Sequence, residues 1–590
     1  MASPQSKQWG TTPAISQAFP TDAEIAANDA LIAELKAQNN FESVEETEKR
    51  YGILQTQAYT VADLEVRKQA LQLIQKVVGE FVKHVCKTKN LPQSTVESAG
   101  GKIFTFGSYR LGVYGPDTLV VVPKHVVRED FFEYVPSILK RLAPPNAVQE
   151  LTPVSDAFVP IIKLELSGIS IDLIFARLEL QSVPLSLVLK DTSILRGLEE
   201  SDLRSLNGTR VTDEILELVP QQKTFRTALR GIKLWAQRRA IYANVMGFPG
   251  GVAWAMLVAR VCQLYPQATG SVIIGKFFFL IGNWKWPQPV LLKKIEEGPL
   301  HVRVWNPTVY PGDKFHLMPI ITPAYPSMCA THNITVSTKQ IITRELKRGK
   351  DITDKIFMGQ LQWKDLFTKH TFFTDGYKYY LSIIASSRTK DAQHVWSGLV
   401  ESKVRLLVAS LETQESIAVA RPFNKGFHRV HHCHNEDDVN AVLNGDLTHQ
   451  ATDTKTETTD AVKDPKHAAV AQGDADGMVM PHENAELAAN GDASQTIYTT
   501  TYYVGLEISQ AAGYLIPNGR IQGDVPALAS YDLPDDVFSR GEVKPARPKK
   551  KVSAKKRNID AIGSEGNIEQ QNVVKRRRSD EQVPEPVPGA

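Results

Sequence analysis

Two aspartates and a lysine carry the most specific chemistry in this sequence. In FGSYRLGVYGPDTLVVVP, residues 106 to 123, Asp117 stands just before a short apolar run. A carboxylate in that position is costly to desolvate, so it needs a cation, hydrogen-bond donors or an open cleft. A partner carboxylate on the same strand face would lie two residues away, where the chain has Gly115 and Leu119. One acidic residue at a strand end is more often a turn or cap residue than a metal ligand, and both interpretations stay open.

The second aspartate lies in VPIIKLELSGISIDLIFARL, residues 159 to 178. Two β-rich runs flank Ser167 and Gly168, a pair typical of a two-residue hairpin turn. Such a turn places Lys163 directly opposite Asp172. An ordinary cross-strand ion pair, worth under about 1 kcal/mol if exposed, is the simplest interpretation.

The elements that position these groups follow from apolar patterning. Residues 119–122 form a continuous apolar run bounded by Pro116 and Pro123, which predicts a strand covered on both faces. Residues 20–90 are predicted to form helices, with residues 20–22 capping the first and an amphipathic segment at residues 64–85. A further helix is predicted from about Arg128. From about residue 210 to 370 long helical segments dominate, starting with NGTRVTDEILELVP.

One helical segment, KTFRTALRGIKLWAQRRAIYAN, carries a basic stripe beside an apolar face. The stripe comprises Arg226, Arg230, Lys233 and Gln237. Stripes of this kind are usually solvated, yet this one precedes GFPGGVAW, where Gly250 and Gly251 let backbone amides approach a ligand and Val252 begins a helix. A phosphate or a base fits between them.

The carboxy-terminal part reads as a small sheet module. Strands are predicted in YKYYLSIIAS, SIAVARPF and TIYTTTYYVGLEI, with a helix in HVWSGLVESKVRLLVASLE. Exposed Tyr379, Tyr498 and Tyr502 suit a module that stacks bases, although strand tyrosines are equally often packing residues. The histidine-rich GFHRVHHCHN, residues 426–435, is interpreted as an exposed loop rather than a zinc site.

Composition sets the broad class. The 590 residues suggest three or four domains, and 42% apolar with 23% charged residues is typical of a folding chain. Four widely spaced cysteines give no disulfide framework, and neither a signal peptide nor a membrane-spanning segment is recognisable. Residues 435–495 are predicted to be a disordered insertion. Beyond Glu542, RPKKK, KKR and KRRR form basic clusters typical of a nuclear-import signal or a nucleic-acid patch.

Several long strings together resemble the eukaryotic nuclear poly(A) polymerases, most closely the fungal ones. They include FGSYRLG, DAFVPIIKLELSGISIDLIFARL, IKLWAQRRAIYANVMGFPGGVAWAMLVARVCQLYP, WSGLVESKVRLLV and YDLPDDVF. The resemblance implies an α+β multidomain fold: a nucleotidyltransferase palm domain with a helical extension (1–205), a helical central domain (206–370), an RNA-recognition-like domain (371–540) and a disordered basic tail (541–590).

The resemblance also implies site roles and ligands. The family binds Mg²⁺ (or Mn²⁺) through three aspartates, of which this chain keeps two, Asp117 and Asp172, and takes ATP as substrate. Implied ATP-binding residues are Phe106, Gly107 and Ser108 for the triphosphate, and Lys163 beside the nucleotide. Lys233 and Tyr242 are implied to hold phosphate and ribose or base, Asn244 to lie near the adenine, and Gly251 and Val252 to close the pocket. Implied partners are the pre-mRNA 3′ end and proteins of the cleavage and polyadenylation complex, in the nucleus.

The chain departs from the family at its first aspartate. The family reads GPGSDIDTLVVVP where this chain reads GPDTLVVVP. The loss of Gly-Ser-Asp-Ile retains Asp117 and removes its partner. A segment between TTYYVGLEI and YDLPDDVF is also shorter, which predicts an incomplete carboxy-terminal sheet. The leading hypothesis is an adenylate-adding polymerase. The alternatives are a catalytically inactive RNA-binding or scaffold protein of 3′-end processing and a nucleotidyltransferase that adds a different base.

Overall fold

A computed structural model of the chain describes residues 7–38, 61–111, 118–154, 160–298, 300, 302–451, 457–458 and 495–509. Three features singled out in the sequence lie outside these residues. They are Asp117, most of the predicted insertion and the basic tail with the shortened segment before it.

The first sheet has five strands in the order β1-β2-β5-β4-β3. Its strands are β1 (Lys102–Thr105), β2 (Thr118–Val122), β3 (Val148–Val154), β4 (Ile161–Leu166) and β5 (Ile169–Arg177). Strand β2 runs parallel to β5, and the other neighbours are antiparallel. All of β2 is buried: Val120 and Val122 pack into one core, and Leu119 and Val121 into another. The prediction of a strand covered on both faces is confirmed.

Helices surround this sheet and build the centre of the protein. Up to residue 142 they are α1 (Asp22–Ala37), α2 (Val61–Thr88), α3 (Gln93–Ser98), α4 (Gly107–Arg110) and α5 (Arg128–Leu142). The central ones are α6 (Glu200–Leu218), α7 (Gln222–Arg238), α8 (Gly251–Leu264), α9 (Gly270–Gly282), α10 (Val336–Phe357) and α11 (Trp363–Leu366). Short 3₁₀ helices cover Thr192–Leu195 and Pro311–Phe315.

One of these helices differs from the sequence prediction in where it begins. Helix α6 begins at Glu200, before the NGTRVTDEILELVP pattern, because buried polar residues such as Asp202 and Ser205 hide its apolar periodicity. Helix α1 packs into the central helical core through Leu31 and Leu35. Its predicted cap is confirmed: the side chain of Thr21 accepts from the Glu24 N–H, and Glu24 accepts from the Thr21 N–H.

The carboxy-terminal sheet is assembled on one long strand. Its elements are β6 (Tyr379–Ser387), α12 (Lys390–Leu411), β7 (Ile417–Pro422), β8 (Phe427–Cys433), α13 (Glu436–Leu443), β9 (Glu457–Thr458) and β10 (Gln495–Ile508). Strand β10 pairs with β6 on one side, and with β8 and then β7 on the other. A π-helical turn at Phe372–Gly376 leads into the sheet.

A buried ion pair joins the central helices to this sheet. The Arg239 guanidinium donates two hydrogen bonds of 2.9 Å to the Glu345 carboxylate and two more to the carbonyls of Thr368 and Lys369. Arg421 of β7 donates to the Arg239 carbonyl at 2.7 Å. Both charges of the ion pair are largely buried and multiply bonded. Together with the bond from Arg421, the pair links the end of α7 to α10 and to β7.

The mixed helix and sheet architecture confirms the predicted α+β class. All four cysteines are buried and unbridged, as the sequence indicates. Among the described residues, no helix combines the length and the apolar character needed to cross a membrane.

Candidate active site

Strand β2 enters the first sheet at a threonine that has neighbours on both sides. Thr118 pairs with Thr105 of β1 and with Leu173 of β5, and it is fully buried. Asp172 directly precedes Leu173, so its backbone lies next to the start of β2. Asp117 precedes Thr118 in the sequence and lies outside the described residues. The structure therefore places one of the two predicted carboxylates, and metal binding by either stays a prediction.

The predicted hairpin register is confirmed. Lys163 of β4 lies directly opposite Asp172 of β5. Ser167 and Gly168 both have positive φ, 52° and 76°, as a two-residue turn of the I′ type requires. The side chains of Lys163 and Asp172 are half-buried and lie on one face of the hairpin. The alternate positions are buried on the other face: Ile162, Leu164, Ile171 and Leu173. The hairpin thus presents a cation and a carboxylate side by side.

The glycine-serine segment is held by a helix far away in the sequence. Gly107 has φ 60°, in the left-handed region that favours glycine, and its N–H donates to Thr212 Oγ1 at 3.3 Å. The ring of Phe106 lies against Gly208 of α6, where a Cβ would come within 3.1 Å of it. Phosphate binding by Phe106, Gly107 and Ser108 stays a prediction, and the side chain of Ser108 lies outside the described residues.

Two further contacts clamp the end of this segment. Arg110 donates to Asp213 Oδ1 at 2.6 Å, and Arg226 Nε donates to the carbonyl of Leu111 at 3.2 Å. Helix α4 itself also contacts α6 and α8. The first sheet and the central helices therefore meet at the glycine-serine segment.

Most of the residues implied for the nucleoside lie together at the junction of α7 and α8. The Lys233 ammonium lies 5.9 Å from the centre of the Tyr242 ring. A Cβ added at Gly251 would lie 2.5 Å from the Tyr242 hydroxyl, so this hydroxyl rests directly on the helix start. Asn244 is exposed and packs against Gly250 through its Cβ, and Val252, directly after Gly251, is also exposed. Nucleotide binding by these residues stays a prediction.

The basic stripe of α7 is not a solvated face. Arg230 is only 5% exposed, and Arg226, Lys233 and Gln237 are half-buried. Part of the stripe contacts the end of the glycine-serine segment, since Arg226 donates to the carbonyl of Leu111. Helical periodicity alone does not predict this contact. This arrangement favours a bound or buried role for the cations over simple solvation.

Sequence reasoning missed the residues of α6 that hold this site. Thr212 and Asp213 contact positions about a hundred residues earlier, and no local pattern indicates such pairs. Behind β5, Arg128 donates to the buried Asp202 at 2.6 Å, and burial raises the pKa of Asp202 against the opposing effect of Arg128. A helix that contacts both β2 and β5 thus carries the supporting contacts.

The donor chemistry at Asp172 suits a hard divalent cation. Mg²⁺ and Mn²⁺ prefer carboxylate oxygens, and Asp172 is a half-buried carboxylate at the sheet. Over the parts of the chain that the structure covers, no three histidine, cysteine or acidic side chains form a metal-binding group. The fit of a metal therefore depends on a second carboxylate beside Asp172.

The interpretation of GFHRVHHCHN as an exposed loop is wrong. Most of it forms β8, in which His431 and Cys433 are buried. His431 Nε2 lies 3.0 Å from Thr499 Oγ1 of β10, and burial lowers the pKa of His431 to about 4. The strand was missed because its pairing partner, β10, follows a long insertion. Nor is residue 435 the start of an unstructured region, since α13 follows at once and packs Val439 and Val442 against Cys433.

The three predicted base-stacking tyrosines do not share one exposed surface. Tyr502 is 1% exposed and donates its hydroxyl hydrogen to the Ser397 carbonyl at 3.0 Å, and burial raises its pKa. Tyr498 is half-buried, whereas Tyr379 is exposed. The interpretation of Tyr502 as an exposed stacking residue is wrong because that face of β10 packs on α12.

Comparison with known proteins defines the class and then the family. The chain matches the family models of the poly(A) polymerase nucleotidyltransferase domain at residues 10–64 and 56–219, central domain at 224–369 and predicted RNA binding domain at 371–516. The domains are thus those of a nucleotidyltransferase with a central domain and a predicted RNA binding domain. The chain belongs to the poly(A) polymerase family.

Fungal relatives match over most of their length. The chain is 49% identical to poly(A) polymerase pla1 of Schizosaccharomyces pombe, over 93% of this chain and 96% of the relative. It is 45% identical to poly(A) polymerase PAPa of Candida albicans over the same shares. Poly(A) polymerase PAPalpha of the same organism is 55% identical over 71% of this chain and 73% of the relative. The predicted resemblance to fungal poly(A) polymerases is confirmed.

Proposed function

We propose that this protein adds adenylate residues from ATP to the 3′ end of pre-mRNA. The observation that carries the proposal is the match to a relative named poly(A) polymerase over 93% of the chain. The pairing of Lys163 with Asp172, next to the start of β2, supports it from the geometry. The chemistry is nucleotidyl transfer, in which the RNA 3′-hydroxyl loses its proton and attacks the α-phosphate of ATP, the bond between the α- and β-phosphates breaks, and pyrophosphate leaves.

In this proposal Asp117 and Asp172 hold Mg²⁺ or Mn²⁺, with Lys163 beside the nucleotide. Bound divalent cations stabilise the charge on the attacking and leaving oxygens. The triphosphate contacts the segment of Phe106, Gly107 and Ser108, and the nucleoside contacts the α7–α8 junction of Lys233, Tyr242, Asn244, Gly251 and Val252. The hydrogen bonds of Thr212, Asp213 and Arg226 hold the glycine-serine segment in a fixed position relative to the α7–α8 junction. Because the two groups of binding residues are already positioned, less conformational entropy is lost when ATP binds.

The missing first aspartate sets the level of activity that we propose. A chain with two of the three family carboxylates binds ATP through its remaining contacts but holds the metals weakly. Losing one member of such a unit typically lowers the rate on the order of 10³-fold, about 4 kcal/mol of transition-state stabilisation. We therefore expect this chain, with Asp117 and Asp172 but without the first family aspartate, to extend an RNA primer slowly.

Inserting Gly-Ser-Asp-Ile between Pro116 and Asp117 tests this account. The insertion restores the loop length and the carboxylate pair, and we expect Mg²⁺-dependent adenylate addition to rise by roughly 10³-fold in a primer-extension assay. The same insertion with Asn in place of Asp repairs the length but not the charge, so it should not restore the rate. The proposal is contradicted if the chain without the insertion is already fully active. It is also contradicted if the insertion with Asn restores the rate as well as the insertion with Asp.

The second candidate function is a catalytically inactive RNA-binding or scaffold protein of 3′-end processing. The observation that favours it is the sequence GPDTLVVVP, which lacks one family carboxylate. An Asp insertion that leaves the chain inactive, with RNA binding intact, supports this candidate. Competition among the four nucleoside triphosphates in the same assay separates adenylate addition from the addition of a different base.

The proposed location is the nucleus, and the proposed protein partners are those of the cleavage and polyadenylation complex. The basic clusters beyond Glu542 support nuclear import. The match to the family model of a predicted RNA binding domain at residues 371–516 supports contact with the RNA 3′ end.

A further inference from the structure

A cluster of aromatic rings lies where the π-helical turn meets the carboxy-terminal sheet. Phe372 and Phe423 form its buried base. Phe373, Phe427 and Tyr503 pack on Phe423 or on each other with ring centres 4.8 to 5.7 Å apart. Three separate segments, residues 372–380, 423–427 and strand β10, contribute these rings. The cluster therefore holds its outer rings in a rigid arrangement.

Two rings of the cluster face solvent. Phe373 is 43% exposed and Tyr380 is 36% exposed. Their planes lie within 19° of parallel, with ring centres 6.0 Å apart. The hydroxyl of Tyr380 donates to the carbonyl of Phe372, which fixes the Tyr380 ring beside its neighbour. Exposed, nearly parallel and immobilised rings are an unusual use of apolar surface, since such rings are normally buried.

The face of β10 that carries the cluster is the one opposite to Tyr502 and α12. Tyr503 follows Tyr502 and therefore points to the other side of the sheet. Gly505 lies on the same side as Tyr503, and a Cβ there would come within 2.5 Å of the Tyr377 ring. Glycine at this position lets Tyr377 pack directly on the strand, so the aromatic surface continues across the sheet.

Positive charge surrounds the rings. The guanidinium of Arg421 lies 5.6 Å from the centre of the Phe372 ring, and that of Arg429 lies 5.7 Å from the centre of Phe427. Lys369 and Lys425 are close enough to lower the pKa of His370, whose ring packs on Phe423. Acidic groups near the rings are Asp375, in the turn next to Phe373, and Glu507 of β10, which forms an ion pair with Arg344. The balance is cationic and complements a polyanion rather than an acidic-rimmed protein surface.

We propose that Phe373 and Tyr380 form a stacking platform for bases of single-stranded RNA, whose phosphates contact Lys369, Lys425 and Arg429. Aromatic faces that stack on bases, next to cations that follow the backbone, are the physical requirement for binding single strands. The proposal deepens the proposed function and rests on it for the choice of RNA as the occupant. It transfers base stacking from the buried Tyr502 to a surface that solvent reaches.

The test measures RNA affinity directly, by fluorescence anisotropy with a short labelled oligoadenylate and without ATP or divalent metal. We expect the double variant Phe373→Leu and Tyr380→Leu to bind about tenfold more weakly, because base–aromatic stacking is lost. Leucine keeps the apolar volume, and thermal unfolding checks that the sheet remains intact. Tyr380→Phe keeps the ring but loses the hydrogen bond to the Phe372 carbonyl, so its affinity should lie between those of the unaltered protein and the double variant.

An abasic ribose-phosphate oligomer of the same length separates stacking from charge. The unaltered protein should bind this oligomer more weakly than oligoadenylate, and the double variant should bind both equally. The salt dependence of the double variant should keep its slope, whereas Lys425→Gln should reduce the slope by about 0.7. Phe315→Leu, which removes an exposed ring at the end of the 3₁₀ helix Pro311–Phe315 and outside the cluster, is the matched control and should change nothing.

Two results overturn the platform. One is a double variant that binds oligoadenylate as tightly as the unaltered protein. The other is an equal loss of affinity for the base-containing and abasic oligomers, which indicates a contribution from charge or folding alone. Because binding is measured without ATP, a chain that adds no adenylate leaves the platform standing. An active chain with normally binding variants retains the proposed function and refutes the platform.

Discussion

Lys163 lies directly opposite Asp172 across strands β4 and β5. The pairing puts a cation beside a carboxylate on a half-buried face, next to the start of the parallel strand β2. An ordinary cross-strand ion pair has little effect on anything but local stability. A lysine that contacts a nucleotide instead changes the KM for ATP when it is replaced. Steady-state kinetics therefore distinguishes a nucleotide contact from an ordinary ion pair.

We predict that Lys163→Gln raises the KM for ATP by about ten- to a hundredfold, because a charge-assisted contact to phosphate is lost. Steady-state primer extension at varied ATP measures the effect. Glu165→Gln is the matched control, since Glu165 lies two residues along the same strand and on the same face. If both variants behave alike, Lys163 is a structural ion-pair residue.

Gly251 offers a prediction about the nucleoside end of the site. Gly251→Ala places a methyl group 2.5 Å from the Tyr242 hydroxyl, so the tyrosine must move and ATP affinity should fall by about tenfold or more. Gly250→Ala is the control, because its Cβ meets Asn244 at an ordinary 3.4 Å. Adding Tyr242→Phe to Gly251→Ala removes the clashing hydroxyl and should restore part of the affinity. Persistence of the full defect in that double variant indicates that the clash is not its cause.

The Arg239–Glu345 pair predicts a large effect on stability. Glu345→Ala leaves a buried, multiply bonded guanidinium without its carboxylate, which should cost about 3 to 5 kcal/mol of unfolding free energy. Glu507→Ala breaks the more exposed pair with Arg344 and should cost under about 1 kcal/mol. Thermal unfolding of the two variants compares these costs. Equal shifts in Tm for the two variants contradict the ranking.

His370 predicts how stability depends on pH. Its Nδ1 accepts from the Phe372 N–H at 3.1 Å, and burial, followed by the neighbouring Arg421 and Arg239, lowers its pKa to about 4. The unfolded chain protonates this imidazole near 6.5, so between about pH 6.5 and 4 the unfolded state binds more protons. Stability should therefore fall as the pH falls through this window and gain nothing from His370 above it.

His370→Asn keeps a hydrogen-bond acceptor without a titrating ring. We expect the variant to lose less stability than the unaltered protein between about pH 6.5 and 4. His431 has a pKa lowered to about 4 as well, so adding His431→Asn should flatten the dependence further. An unchanged pH profile in the double variant contradicts this assignment.

The basic tail carries a prediction about location. Removing residues 541–590 takes away RPKKK, KKR and KRRR without touching any element described above. We expect the truncated protein to leave the nucleus, as seen by fluorescence microscopy of a tagged chain, and to keep its Tm. A truncated chain that stays nuclear rules out the import role.

Local patterns were enough to predict the parts of the fold that depend on neighbours in the sequence. The buried strand β2 and the Lys163–Asp172 register follow from apolar runs and turn chemistry within a few residues. The hydrogen bond from the Gly107 N–H to Thr212 could not be predicted from local patterns, because it joins positions about a hundred residues apart. Tyr502 was misassigned for a similar reason: burial depends on the helix that covers a strand, and alternation alone does not indicate which face is covered.

The architecture of β10 has a consequence for biosynthesis. This one strand pairs with β6, β7 and β8, all of which leave the ribosome long before it. Until Gln495–Ile508 emerges, those three strands have unpaired edges and depend on a chaperone or on α12 for protection against aggregation. A nonsense mutation between Cys433 and Gln495 therefore removes more than a terminus, since it leaves three complete strands without their common partner. Quality control should degrade such products rather than release them as shortened enzymes.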